Sequence, residues 1–131
     1  MLFRSVSVLA TAARNGFQYR CKVTNAAGSV YTNVATLTVN LKPVITTQPT
    51  SKTVNEGTTA KFTVTATGAE SYQWQYRTSS TGTWYNSTLT GAKTATVSVP
   101  ATAARNGFQY RCKITNAAGT VYTVIVTLTV K

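Results

Sequence analysis

The chain has 131 residues, 43% of them apolar, thirteen Lys and Arg against two acidic residues, no histidine, and a formal net charge of +11. Without histidine it lacks the commonest general base, the serine–histidine nucleophile pair and most zinc sites. Glu56 and Glu70, its only carboxylates, supply poorly an acid–base pair or a calcium cage, so the composition argues against an enzyme and against a cofactor or metal.

The N-terminus, "MLFRSVSVLATAA", imitates a secretory signal, with a cation, an apolar run and small residues near a cleavage point. Yet "VSVLATAARNG" has its double in "VSVPATAARNG" at Val97–Gly107, so it reads as a strand and a corner, and only Met1–Arg4 lack a counterpart. The stretch Thr11–Thr32 returns 91 residues later as Thr102–Thr123 with two changes, Val23 to Ile114 and Ser29 to Thr120. Over Val6–Asn40 and Val97–Lys131, 28 of 35 positions agree, which predicts a tandem array of small domains. Residues 1–40 are then a partial repeat holding only closing strands, 41–43 a linker, and 44–131 a complete domain. Five of the thirteen cations fall within residues 1–42, so the basic character belongs to the repeat itself. No apolar run approaches the eighteen or so residues of a membrane span.

Past the linker, "PVITTQP" and "SKTV" predict a first edge strand interrupted at Pro49, which cannot donate to a ladder. "TAKFTVTA" alternates, with Ala60, Phe62, Val64 and Ala66 on one face. "SYQWQYR" turns Tyr72, Trp74 and Tyr76 inward and Gln73, Gln75 and Arg77 outward. After the loop "TSSTG", a short strand "TWY" and an alternating "TATVSV" follow. "FQYRCKIT" points Tyr110, Cys112 and Ile114 inward, leaving Gln109, Arg111 and Lys113 outside. "NAAG" is a turn, and "TVYTVIVTLTV" closes the unit. No window has helical periodicity. Seven or so short strands in about ninety residues predict an all-β, two-sheet antiparallel sandwich.

A tryptophan on the third strand, Trp74, followed 36 residues later by Tyr110 and 38 later by Cys112 in Tyr110-Arg111-Cys112, resembles the immunoglobulin fold, with Tyr110 at the tyrosine-corner position. The wording is closer still to the bacterial immunoglobulin-like repeats of large secreted and cell-surface proteins. It lies in "PVITTQP" (Pro43–Pro49), "EGTTAKFTVTATG" (Glu56–Gly68), "SYQWQY" (Ser71–Tyr76) and "NGFQYRCKITNAAG" (Asn106–Gly119). The resemblance implies a Greek-key sandwich in an extracellular or cell-surface protein, acting as a non-catalytic structural or adhesive spacer. The alternatives are a module binding anionic carbohydrate or wall polymer, or a decoration domain on a phage particle. It also implies that Val64 stands where animal immunoglobulin domains place a second cysteine. The core Val64, Trp74, Tyr110 and Cys112 then holds a buried, unpaired thiol, and packing must supply what a disulfide would.

The third and sixth strands share a sheet in this fold, which unites Gln73, Gln75, Arg77, Gln109, Arg111 and Lys113 as a candidate ligand face. Cations flanked by amides suit sugars bearing carboxylate or phosphate, because arginine grips such groups in a bidentate fork. The face recurs in the partial repeat as Gln18, Arg20 and Lys22. Nucleic acid is disfavoured, since most rings point inward and only Trp84 and Tyr85 offer themselves for stacking. Lys61 points outward with no acid beside it, which argues against an isopeptide crosslink, and "NST" at Asn86–Thr88 reads as a polar loop. The partial repeat leaves Val8, Tyr19, Cys21, Val23, Leu37 and Val39 with no facing sheet, so it is a candidate for self-association.

Overall fold

A computed structural model describes residues 5–131; Met1–Arg4 lie outside the described residues. The described chain divides into two compact units, with the division between Leu41 and Lys42.

The first unit has a 3-10 turn (Ala12–Arg14) and strands β1 (Gln18–Tyr19), β2 (Lys22–Asn25), β3 (Gly28–Tyr31) and β4 (Ala35–Thr36). β1 pairs with β4 and β2 with β3, both antiparallel. None of its described residues is buried. Val8, Tyr19, Leu37 and Val39 are half-buried, and Cys21 and Val23 are exposed.

The second unit contains β5 (Val44–Thr47), β6 (Lys52–Val54), β7 (Thr59–Thr63), β8 (Thr65–Thr67), β9 (Ser71–Arg77), β10 (Tyr85–Asn86) and β11 (Thr96–Pro100). After a 3-10 turn (Ala103–Arg105) come β12 (Gln109–Asn116), β13 (Gly119–Tyr122) and β14 (Val126–Val130). The larger sheet runs β10-β9-β12-β14-β6, with β13 also on β12. The other layer is built from β11 on β7 and β5 on β8, and β7 and β8 follow one another across Val64. The fold is the all-β, two-layer sandwich that the alternation predicts and that the immunoglobulin resemblance implies.

Details depart from the sequence reading, each for a local reason. The expected single edge strand is two strands in different layers: β5 pairs antiparallel with β8, then the chain crosses at buried Pro49 and β6 pairs parallel with β14. Pro43, read as linker, is buried in this unit. The closing run splits at Thr123, a buried residue whose N–H donates to the Cys112 carbonyl at 3.0 Å and whose Oγ1 accepts from the Cys112 N–H at 2.9 Å. A side chain that takes over the ladder lets the strand bend there. The short third-to-fourth connection forms a strand at Tyr85–Asn86 and leaves Trp84 outside it.

The core follows from the period-two pattern. Phe62, Val64, Trp74, Val97, Val99, Tyr110, Cys112, Ile114 and Leu128 are fully buried. The Phe62 ring centre lies 5.2 Å from that of Tyr110 and 6.4 Å from that of Trp74. Trp74 meets the cost of burying a polar edge by donating its Nε1–H to the Thr94 carbonyl at 2.9 Å. Among the described residues, no buried side-chain nitrogen or oxygen lacks a hydrogen-bond partner.

Candidate functional site: an arginine–aromatic sheet face

β9 and β12 run antiparallel with Trp74 opposite Cys112, and that register fixes both faces. On the core side it brings together Val64, Trp74, Tyr110 and Cys112, all within one buried cluster. Burial pushes the Cys112 thiol up to about 12, against a smaller lowering from a hydrogen bond with the Gln73 backbone. Burial likewise raises Tyr110 to about 12, opposed by the positive charge of Arg105. At neutral pH the thiol is therefore protonated, and a thiol is not a nucleophile until it ionises. Cys21, at the same place in the first unit, is exposed; neither cysteine is in a disulfide.

On the opposite side Gln73 faces Lys113, Gln75 faces Arg111 and Arg77 faces Gln109. The structure thus unites all six predicted residues on one face of the sheet. Each is half-buried. Arg77 donates through Nε to Gln109 Oε1 at 2.7 Å, and Arg111 through Nε to Gln75 Oε1 at 2.9 Å. Gln75 passes the chain on to Asn86 Oδ1 at 3.0 Å, and Gln73 Nε2 donates to the Trp74 and Ser87 carbonyls at 2.8 and 3.1 Å. The amides are thus spent on holding arginines and backbone in place. They position; they do not present a second row of ligand groups.

Two rings complete the face. Trp84 lies against both arginines, its ring centre 4.6 Å from the guanidinium carbon of Arg77 and 4.4 Å from that of Arg111. Tyr122 lies 4.3 Å from Arg111. The result is a ladder, Tyr122–Arg111–Trp84–Arg77, in which cations meet the negative faces of aromatic rings. Sequence reasoning named Trp84, with Tyr85, as a ring open to stacking and missed Tyr122. The usable signal was register, since β12 pairs with β13 so that Lys113 opposes Tyr122, placing that ring diagonal to Arg111. In the first unit Arg20 lies 4.0 Å from the Tyr31 ring, the same rung, while Gln18 and Lys22 are exposed.

A hollow of about 150 Å³ lies among Tyr76, Ser87, Leu89, Arg105 and Phe108. Typical small-molecule pockets hold upwards of roughly 300 Å³, so the open sheet face is the stronger candidate. Among the described residues no three His, Cys, Asp or Glu side chains gather as a metal site would require.

Comparison with known proteins agrees with the fold. Residues 42–116 match the model of the immunoglobulin domain family. Endoglucanase C of Cellulomonas fimi is 39% identical over 122 residues; the match covers 91% of this chain and 11% of that protein. This chain therefore spans only a small part of that relative's length. Among solved structures, DIP-gamma IG1+IG2 superposes with a TM-score of 0.63 at 19% identity, covering 92% of this chain and 61% of that one. The N-terminal eight Ig domains of Down Syndrome Cell Adhesion Molecule give a TM-score of 0.63 at 21% identity, covering 93% and 16%. At such identities the structural likeness establishes the fold alone.

Proposed function

The chain belongs to the immunoglobulin domain family, and from that premise we propose that it is a non-catalytic structural module, a spacer with an adhesive role in a larger extracellular bacterial protein. One observation carries the reading. The second unit closes its own core, and the sequence of its last third already stands 91 residues upstream with 28 of 35 positions unchanged. A domain that buries its apolar side chains without help, and whose closing strands recur nearly verbatim, is suited to extend reach in fixed steps. The relative supports this: a protein bearing an enzyme's name matches the present chain over 11% of its length, as an accessory module would. Chains of one, two and three copies of residues 42–131, measured by small-angle scattering, should lengthen by equal increments. Copies that collapse on one another into a globule would refute the spacer reading.

A further inference from the structure

We propose that the β9–β12 face of the second unit is a binding site for an acidic polysaccharide, its carboxylates held by Arg77 and Arg111 and its sugar rings laid on Trp84 and Tyr122. The inference does not depend on the spacer reading; it rests on four features of the face. The first is uncompensated charge. Arg77, Arg111 and Lys113 share it, while the chain has only two carboxylates. Glu56 sits in the turn where its N–H meets the Lys131 carbonyl, and Glu70 precedes the Ser71 end of β9, seven residues before Arg77. At roughly 3.3 Å per residue that is about 23 Å from Arg77.

The second feature is fixed orientation. Each arginine spends its Nε–H on a glutamine across the strand gap, and no further hydrogen bond from either guanidinium is formed among the described residues. The outer edge of each fork, two parallel N–H donors, is thus left for a ligand, while the Nε bond holds the side chain in place. A carboxylate is the planar two-oxygen acceptor that matches such an edge. Because side-chain freedom has been surrendered on folding, less is lost on binding.

Third, the rings are of the kind sugars use. Trp84 is half-buried with the arginines against it, and Tyr122 is 46% exposed. An amphipathic ring beside hydrogen-bonding groups suits a pyranose, which is apolar on its C–H face and polar at its rim. Fourth, the arrangement speaks against a nucleic-acid strand. Sequence-tolerant binding of single strands needs successive free rings along a charged groove. Here two rings flank one cation, Arg111, and do not continue into a row, since Trp74 and Tyr110 on the same two strands are buried.

The test uses the full 131-residue chain with polygalacturonate as probe, read by calorimetric titration at low salt, with hydroxyethylcellulose and poly(dT) run alongside. Polygalacturonate should bind, and added salt should weaken it. The double variant Arg77→Gln, Arg111→Gln should lose about tenfold or more in affinity, and Trp84→Ala several-fold, with hydroxyethylcellulose giving no signal. The charge-matched control Lys61→Gln, Lys93→Gln, which removes two exposed cations elsewhere, should bind within about twofold of the parent. Should the arginine variant not fold, Arg77→Lys with Arg111→Lys keeps the charge and removes the fork, and must still lose affinity. Equal loss in the two charge-removing variants, unchanged binding by the lysine pair, no binding of polygalacturonate, or tighter binding of poly(dT) would each overturn the proposal.

Discussion

Thr11–Thr32 and Thr102–Thr123 are two copies of one sentence, and the molecule reads them differently. The local bonds are the same. Arg14 reaches the Leu9 carbonyl as Arg105 reaches that of Pro100, and Asn15 Oδ1 accepts from Val39 N–H as Asn106 Oδ1 does from Val130 N–H, each at 2.9 Å. Thr32 joins the Cys21 backbone as Thr123 joins that of Cys112. Burial is not the same. Cys112 and Ile114 are fully buried, whereas Cys21 is exposed and Val23 is 53% exposed. The strand differs too: unbroken β12 becomes β1 and β2, interrupted at Arg20 and Cys21, where among the described residues no counterpart of β9 pairs alongside. Corners and hairpins are thus encoded within about thirty residues, while strand continuity and the dry side of the sheet are conferred from outside.

Hydrogen exchange gives the sharpest measure of that difference. Amides of β12 should exchange only through global unfolding of the second unit, on the order of a thousandfold or more slower than their counterparts in β1 and β2. Equal protection in both copies would break the comparison. Trp74→Ala should next bring the second unit towards the state of the first. Removing the largest core side chain costs about 3–5 kcal/mol, read by denaturant melts. The cysteines give a smaller contrast. Cys112→Ala should cost about 1–3 kcal/mol through packing and Cys21→Ala within about 0.5, and a thiol reagent should label Cys21 at once but Cys112 only on unfolding.

Alkali should show the smallest effect. Cys112, raised from 9.0, and Tyr110, raised from 10.0, hold their protons more tightly when folded, both to about 12. Their contribution is whole below the unfolded values and lost as pH climbs towards 12, because the unfolded chain gives up protons first. Between pH 9 and 10 Cys112 acts nearly alone, so the second unit should lose about 1 kcal/mol, and Cys112→Ala should remove that dependence. A stability flat in pH across this window would mean that the thiol is not buried.

What could be read from the chain follows the reach of each interaction. Trp74, Tyr110 and Cys112 are legible because alternation along a strand fixes the side on which a residue lies once the apolar face is known. The outward side of the six polar residues is legible for the same reason, and the immunoglobulin resemblance joins their two strands in one sheet, whereas the register of β9 on β12 comes from the structure alone. The Trp84 rung is not. It depends on how the loop from Thr78 to Thr83 returns over the sheet, and no periodicity governs a loop. Nor does the break at Thr123 show as a strand ending in a β-branched run such as "TVYTVIV"; it appears only once the threonine hydroxyl is seen replacing a ladder bond.

The parallel pairing of β6 with β14 has a mechanical consequence. Lys52, Thr53 and Val54 lie beside Leu128, Thr129 and Val130 in the same direction, extended by Lys131 N–H to the Val54 carbonyl at 2.9 Å. Tension drawn between the two ends of the unit meets the antiparallel β5–β8 pairing first; once β5 is peeled away it pulls β6 and β14 past each other lengthwise, loading their cross-links together in shear instead of unzipping them one by one. Rupture of that pair then requires several bonds to fail within the same small displacement.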